Sequence, residues 1–266
     1  MKYLYFLFLV INAFYCYSYM NIYSFSYKEL ITKAKLCKIC YSKNAVFNIQ
    51  KNQMLKHYDN YIFINETKTK SLCYIFYNKH QIDVSFKGTT NINDICTNIN
   101  IYPAQFFNND NNNIRIHNGF LHKYLLLKPH IINNIDKIIA NNSIKEICLS
   151  GHSSGGAVAN IASFDLCNLY KNKIIKCVTF GSPSVGNHHF NNIYNKKVNV
   201  SLRIINNNDI IQYLPLKIFY ENIHEPLILQ NHKKLTFYDF LLNIYGYYKH
   251  NHHIKTYIKN LKQLYD

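Results

Sequence analysis

The segment Ile147-Cys-Leu-Ser-Gly-His-Ser-Ser-Gly-Gly-Ala-Val-Ala159 leaves the chain few folds to choose from. It runs from a short apolar strand through a sharp turn at Ser153 into a helix opened by small residues. Gly151 and Gly155 flank the serine in the spacing Gly-x-Ser-x-Gly. A turn this tight presses strand and helix together. A side chain at either glycine would strike the neighbouring element, and the serine hydroxyl is left exposed at the carboxyl end of the strand. Gly156, Ala157 and Ala159 extend the pattern, because a helix crossing closely over a sheet needs small residues on its contact face. The motif predicts a strand–elbow–helix unit with Ser153 as a nucleophile.

Strand and helix patterns alternate around that unit. Residues 26–41 have helical spacing, and 61–65, 72–77 and 81–86 read as strands, the last two joined by a polar turn at 78–80. Residues 117–140 are helical in pattern despite Pro129. Then come a strand over 145–150, a helix over 154–170, a strand over 174–180, a short helix near 187–194 and a strand over 198–205. Such alternation implies right-handed crossovers and an α/β fold with a mainly parallel central sheet flanked by helices. No repeat or long linker divides the chain, and 266 residues that are 48% hydrophobic suffice for a single domain with one core. In parallel sheets functional side chains sit on loops beyond the carboxyl ends of strands, so the partners of Ser153 are sought there.

A serine hydroxyl needs a histidine to take its proton and a carboxylate to orient that histidine. In α/β-hydrolases they follow in the order serine, acid, histidine. The acids after Ser153 are Asp165, Asp209, Glu221, Glu225, Asp239 and Asp266. Asp165 falls about three turns along the nucleophile helix and points away. Asp209 follows the strand at 198–205 across a polar loop at 206–208, a strand-end position that makes it the expected acid. His188 and His189 precede it; His224, His232, His250, His252 and His253 come later. The cluster at 250–253 stands just before an amphipathic helix carrying Ile254, Tyr257, Ile258, Leu261 and Leu264, but spacing alone does not choose within it. Two N–H donors are also needed for the developing oxyanion. The backbone of Ser154 supplies one, and the strand end Val84-Ser-Phe-Lys-Gly-Thr89 offers Thr89 for the other.

These residues also resemble a known family. Val84–Thr89 is similar to the apolar–Arg–Gly–Thr/Ser oxyanion strand of the class 3 (fungal-type) triacylglycerol lipases, with Lys87 where arginine is usual. Ile116-His-Asn-Gly-Phe120 resembles the family's Val-His-x-Gly-Phe helix start, and Leu149–Ala157 its elbow. Val178-Thr-Phe-Gly-Ser-Pro-Ser-Val-Gly-Asn187 resembles its next strand and turn, and Asn208-Asp-Ile-Ile-Gln-Tyr-Leu-Pro215 its acid loop. The resemblance runs from Val84 almost to the C-terminus. It implies an α/β-hydrolase fold with a short lid and a Ser153–Asp209–His252 triad. The family's terminal His-x-Ile-x-x-Tyr-Ile-x-x-Leu superposes on His252–Leu261, with His253 as the one-residue-slip alternative. His224 falls where the family bears glycine and is read as non-catalytic. The lid corresponds to 91–99, whose Ile92, Ile95 and Ile99 offer an apolar face; Ile95 stands where fungal members often carry tryptophan. The activity implied is a serine lipase cleaving carboxylic esters of lipids, triacylglycerols first, at a lipid–water interface. Phospholipase A1-type or diacylglycerol cleavage is the near alternative, and a non-catalytic lipid-binding protein on the same scaffold is the distant one. No metal or cofactor is implied.

Composition adds bounds. Lys2 and the apolar run from Tyr3 to Tyr15, then Cys16-Tyr17-Ser18, have the form of a secretory signal peptide, so the expectation is a leader over 1–18, a domain over 19–266 and a secreted protein. The net charge of +16 invites a nucleic-acid reading, but Arg115 and Arg203 are the only arginines. The abundance of Asn, Ile, Lys and Tyr with no Trp fits an AT-rich genome, so no nucleic-acid partner is expected. The lysine excess suits peripheral contact with anionic lipid surfaces. Loss of Cys16 leaves seven of the eight cysteines. Cys148, Cys167 and Cys177 are expected as buried thiols, and Cys37, Cys40, Cys73 and Cys96 as available for disulfides in an oxidising compartment.

Overall fold

In the computed structural model the described residues are 24–42, 45, 55–67, 69–89, 103–105, 113–198, 200–207, 209–215, 220–224, 226–229 and 249–264. The expected leader over 1–18, the lid residues Ile92, Ile95 and Ile99, and Cys96 lie outside them.

Helix α1 (Tyr27–Ile39) begins at a reciprocal capping box between Ser26 and Glu29. Strands β1 (Asn60–Glu66), β2 (Ser71–Tyr77) and β3 (Gln81–Phe86) form an antiparallel meander. A small hairpin, β4 (Pro103–Gln105) with β5 (Arg115–His117), precedes helix α2 (Asn118–Asn141). Next come β6 (Glu146–His152), α3 (Ser154–Leu169), β7 (Ile174–Phe180), α4 (His188–Lys197) and β8 (Val200–Asn206). A 3₁₀ turn (Ile210–Tyr213), β9 (Leu227–Leu229), a single turn α5 (Lys249–His252) and helix α6 (Ile254–Gln263) complete the order. The seven-stranded sheet runs β1-β2-β3-β6-β7-β8-β9, parallel from β3 onward. The alternation in the sequence led to this architecture. The β4–β5 hairpin and β9 escaped notice, because three residues are too few to show a period-two pattern.

Strand parity divides the core. Ile147 and Leu149 on β6, with Ile175 and Cys177 on β7, pack under α2 and α3. Cys148, Val178 and Phe180 face the opposite side, where Leu30, Ile31 and Ala34 of α1 meet Ile254, Tyr257 and Leu261 of α6. Ser150 and His152 follow the parity of Cys148, so His152 emerges on the α1/α6 side at the carboxyl end of β6.

On that side α1 is fastened to β3 by a buried charge cluster. The Lys33 ammonium pairs with Asp83, at side-chain exposures of 2% and 0%. The other carboxylate oxygen accepts the Tyr58 hydroxyl and the Gln81 amide, each at 2.6 Å. Burial is the largest single influence and pushes the lysine pKa down. The Asp83 charge and hydrogen bond, with lesser contributions from Cys148 and Glu146, together outweigh it and hold it above the ordinary value. Cys37, Cys40 and Cys73, available for disulfides by sequence, are free and buried: they lie among core side chains and pair with no other thiol among the described residues. Cys148 and Cys177 are buried as expected, whereas Cys167 is half-exposed.

Candidate active site

Ser153 stands between β6 and α3 at φ 58° and ψ −136°, a backbone conformation that strains a residue bearing a side chain. Bonds on both sides hold it there. Its N–H donates to the Phe180 carbonyl at 3.0 Å, and its own carbonyl accepts the Gly156 N–H at 2.8 Å. A Cβ on Gly151 would lie 2.1 Å from the Gly155 carbonyl oxygen, and one on Gly155 would lie 2.4 Å from that of Phe86. The elbow thus brings α3 directly onto the end of β3, the reason for the glycines that the motif implied. One expectation is corrected: Ser153 is not exposed but 0% accessible. The strand end of β3 lies over it, with the Gly88 backbone so near that an added Cβ would sit 3.0 Å from Ser153 Cβ. Ser153 Oγ is buried with no hydrogen-bond partner among the described residues.

Asp209 caps the 3₁₀ turn beyond β8 and is fully buried. Its Oδ1 accepts the Ile211 N–H at 3.0 Å, and its Oδ2 accepts the Tyr257 hydroxyl at 2.6 Å and His252 Nδ1–H at 2.7 Å. Burial by itself raises the carboxyl pKa, but the His252 ring, the Tyr257 hydroxyl and the Ile211 N–H together outweigh it and hold the group below the ordinary 3.8. His252 ends α5 and is 4% exposed; its Nε2 is buried and unpartnered among the described residues. His253, the slip alternative, is exposed and caps α6 by accepting the Lys255 N–H at 3.1 Å. The geometry therefore brings His252 and not His253 to Asp209. Asn206, at the end of β8, ties the two segments together: its side chain donates to the Asn251 carbonyl at 2.8 Å and accepts from Asn260 at 2.9 Å.

Tyr257 and Gly181 belong to this constellation, and the sequence reading missed both. Tyr257 looked like one more apolar residue on the α6 stripe; its ring is core, but its hydroxyl reaches the acid. Gly181 follows β7 at φ 55°, and a Cβ there would sit 2.5 Å from Asp209 Oδ2, 2.7 Å from the Tyr257 oxygen and 3.2 Å from His252 Nδ1. The Thr-Phe-Gly-Ser-Pro turn was the available signal. Gly181→Ala is expected to push the acid and histidine out of line and lower kcat on a soluble ester by about 10²-fold with little change in KM. Kinetics on the folded variant check this, and an unchanged kcat would contradict it.

Thr89 and Ser154 do meet, by a bond the sequence did not foretell. The Thr89 N–H donates to Ser154 Oγ at 2.9 Å, and the two hydroxyls lie 2.9 Å apart. The Thr89 N–H is therefore engaged by a side chain of the elbow itself. Of the other polar candidates, Asp165 joins α3 to α2 through the Tyr124 hydroxyl at 2.5 Å and Lys128 at 2.6 Å. His188 pairs on the surface with Glu221 at 2.9 Å, and His224 packs edge-on against Tyr194. Among the described residues no cluster of three or more His, Cys, Asp or Glu side chains suits a metal ion.

Comparison with known proteins matches residues 83–219 to the family model for lipase (class 3). That range holds Thr89, Ser153, Ser154 and Asp209, and stops before His252. A chloroplastic phospholipase A1 of Arabidopsis thaliana is 26% identical over 152 residues, 52% of this chain and 34% of that protein. A secreted mono- and diacylglycerol lipase of Fusarium solani is 28% identical over 142 residues, 53% of this chain and 41% of that protein. This chain thus matches well under half the length of those relatives. Among solved structures, the triacylglyceride lipase of Rhizomucor miehei superposes with a TM-score of 0.66 at 17% identity, covering 75% of this chain and 78% of that one. A triacylglycerol lipase whose catalytic centre is described as a serine protease triad gives 0.69 at 17% identity, covering 78% and 82%. These superpositions establish the α/β-hydrolase fold.

Proposed function

This chain belongs to the class 3 lipase family, and from that premise we propose that it is a secreted serine hydrolase cleaving carboxylic esters of lipids, with triacylglycerol as the leading substrate. The observation that carries the reading is a strained Ser153 with an unpartnered Oγ beyond β6, next to His152, whose ring lies 4.6 Å from that of His252, while the buried Asp209 beyond β8 is bonded to one nitrogen of the His252 ring and the other nitrogen is left unpartnered among the described residues.

The reaction follows from those atoms. Ser153 Oγ attacks the ester carbonyl carbon as His252 Nε2 takes its proton, and Asp209 stabilises the imidazolium that results. The carbonyl oxygen, now carrying negative charge, takes the place of Ser154 Oγ as acceptor for the Thr89 N–H, and the Ser154 N–H at the start of α3 supplies the second donor. Collapse breaks the ester C–O bond, and the alcohol leaves with the proton from His252. Water then attacks the acyl-serine, with His252 again as base, releasing the fatty acid. The steps balance without a metal or cofactor.

Secretion is supported by the leader-like residues 1–18 and by relatives named as secreted lipases. The substrate order draws on the family; relatives named as phospholipase A1 and as mono- and diacylglycerol lipase make those esters the competing substrates. Parallel assays on emulsified long-chain triacylglycerol, diacylglycerol, phosphatidylcholine and a soluble short-chain ester test the order. The expected result is fastest turnover of triacylglycerol and none in Ser153→Ala. Preference for phospholipid would replace the substrate, and an active Ser153→Ala protein would remove the mechanism.

A further inference from the structure

His152, the residue before the nucleophile, is bonded at both ring nitrogens. Its Nε2 lies 2.5 Å from the main-chain oxygen of His252, and its Nδ1 lies 2.9 Å from the Tyr41 hydroxyl. Tyr41, two residues beyond α1, accepts the Gly88 N–H at 3.1 Å, one residue before Thr89. The proton positions follow from elementary rules. A carbonyl oxygen only accepts, so His152 Nε2 carries a hydrogen. Burial first, and then the nearby His252, push the His152 pKa down to about 3, so the ring is neutral and Nδ1 is a bare acceptor. The Tyr41 hydroxyl therefore donates to Nδ1. The His152 carbonyl, 3.4 Å from the same hydroxyl, is the weaker claimant on that single proton. The bonds run in one direction, Gly88 to Tyr41 to His152 to His252, an arrangement in which each bond polarises the next.

We propose that Tyr41 and His152 are positioning residues for the reaction: their hydrogen-bond chain holds the backbone of His252 and the oxyanion strand at Gly88–Thr89 in one frame with Ser153. The inference rests on the reading of Ser153 and His252 given above. Asp209 holds the His252 ring by one nitrogen only, so that bond by itself does not fix the backbone from which the ring projects. A second anchor on the His252 carbonyl fixes the point from which the side chain springs. Strand parity makes this available, since His152 leaves β6 on the side where α1 and α6 meet. Charge fits as well. The two imidazole rings lie 4.6 Å apart, and a neutral His152 puts no positive charge beside His252 when the latter takes the serine proton.

The test uses the full chain and a soluble short-chain ester. Tyr41→Phe is expected to lower kcat about tenfold and His152→Leu about 10²-fold, with KM within about twofold in both. His152→Gln, whose amide can donate to the His252 carbonyl, is expected to recover most of the loss seen in His152→Leu. A space-filling role predicts no advantage for Gln over Leu. If Tyr41→Phe and His152→Leu turn over at the wild-type rate while Ser153→Ala is inactive, the positioning chain is overturned and the hydrolase reading stands. An active Ser153→Ala protein removes the hydrolase reading itself. Should circular dichroism show that His152→Leu does not fold, Tyr41→Phe, which deletes one hydroxyl from a half-buried ring, decides the matter.

Discussion

Asp209→Asn is expected to lower kcat on soluble esters by about 10⁴-fold while the protein stays folded. Size is nearly unchanged, so the effect lies in one proton. The carboxylate accepts His252 Nδ1–H at 2.7 Å, which fixes the tautomer with a lone pair on Nε2. The Tyr257 hydroxyl and Ile211 N–H already donate to the same group. Because Ile211 N–H bonds Oδ1 while Tyr257 and His252 share Oδ2, an amide that keeps its oxygen on Ile211 presents its nitrogen to both Tyr257 and His252, which forces Nδ1 to accept and Nε2 to carry the hydrogen. His252 can then no longer take the serine proton, and no carboxylate charge remains to stabilise an imidazolium. KM should move by about twofold or less, since both carboxylate oxygens of Asp209 are already engaged by Ile211, Tyr257 and His252. Steady-state kinetics beside circular dichroism give the answer; a loss below tenfold would show that Asp209 does not govern the base.

Lys33→Met should be the most damaging substitution for stability, lowering the free energy of unfolding by about 3–5 kcal/mol. The change leaves Asp83 charged inside the α1–β3 contact with only neutral donors, Tyr58 and Gln81, to satisfy it. Replacing both partners, as Lys33→Met with Asp83→Leu, is expected to restore most of the loss, because the uncompensated charge is then gone. Urea unfolding of the two single variants and the double variant measures the coupling directly. Lys33 is held above the ordinary lysine value of 10.5 in the folded protein. Its contribution is therefore complete below that value and is lost as the pH rises past it toward the higher native one. A single Lys33→Met variant as stable as wild type would contradict this account.

The sequence carried the frame of this molecule better than the fine structure of its site. Ser153 was legible because the elbow is local: glycines at fixed offsets and a strand and helix on either side report one turn. Asp209 was legible because a strand end followed by a polar loop is equally local. The choice of His252 over His253 could not be made from spacing, since adjacent residues share every local signal. It becomes visible only when α6 packs on β7 and β8, turning one ring toward Asp209 and leaving the other to cap the helix. Tyr257 was hidden for a different reason: a tyrosine on an apolar stripe is read by its ring, and nothing in the stripe says where the hydroxyl ends. His152 looked like a spacer in Gly-x-Ser-x-Gly, and Tyr41 like the tail of a helix. Their meeting depends on strand parity and on which helices cover that face, both long-range facts. The Thr89–Ser154 bond is similar, because it depends on rotamers at two strand ends 65 residues apart.

The central claim is that Ser153 is the nucleophile and His252, held by Asp209, its base. Reaction with a fluorophosphonate probe, followed by mass mapping of the labelled peptide, tests it most directly. The account predicts a single adduct on Ser153, lost in Ser153→Ala, formed far more slowly in His252→Ala and at the wild-type rate in His253→Ala. An adduct on another residue, or equal labelling rates in His252→Ala and wild type, would contradict it.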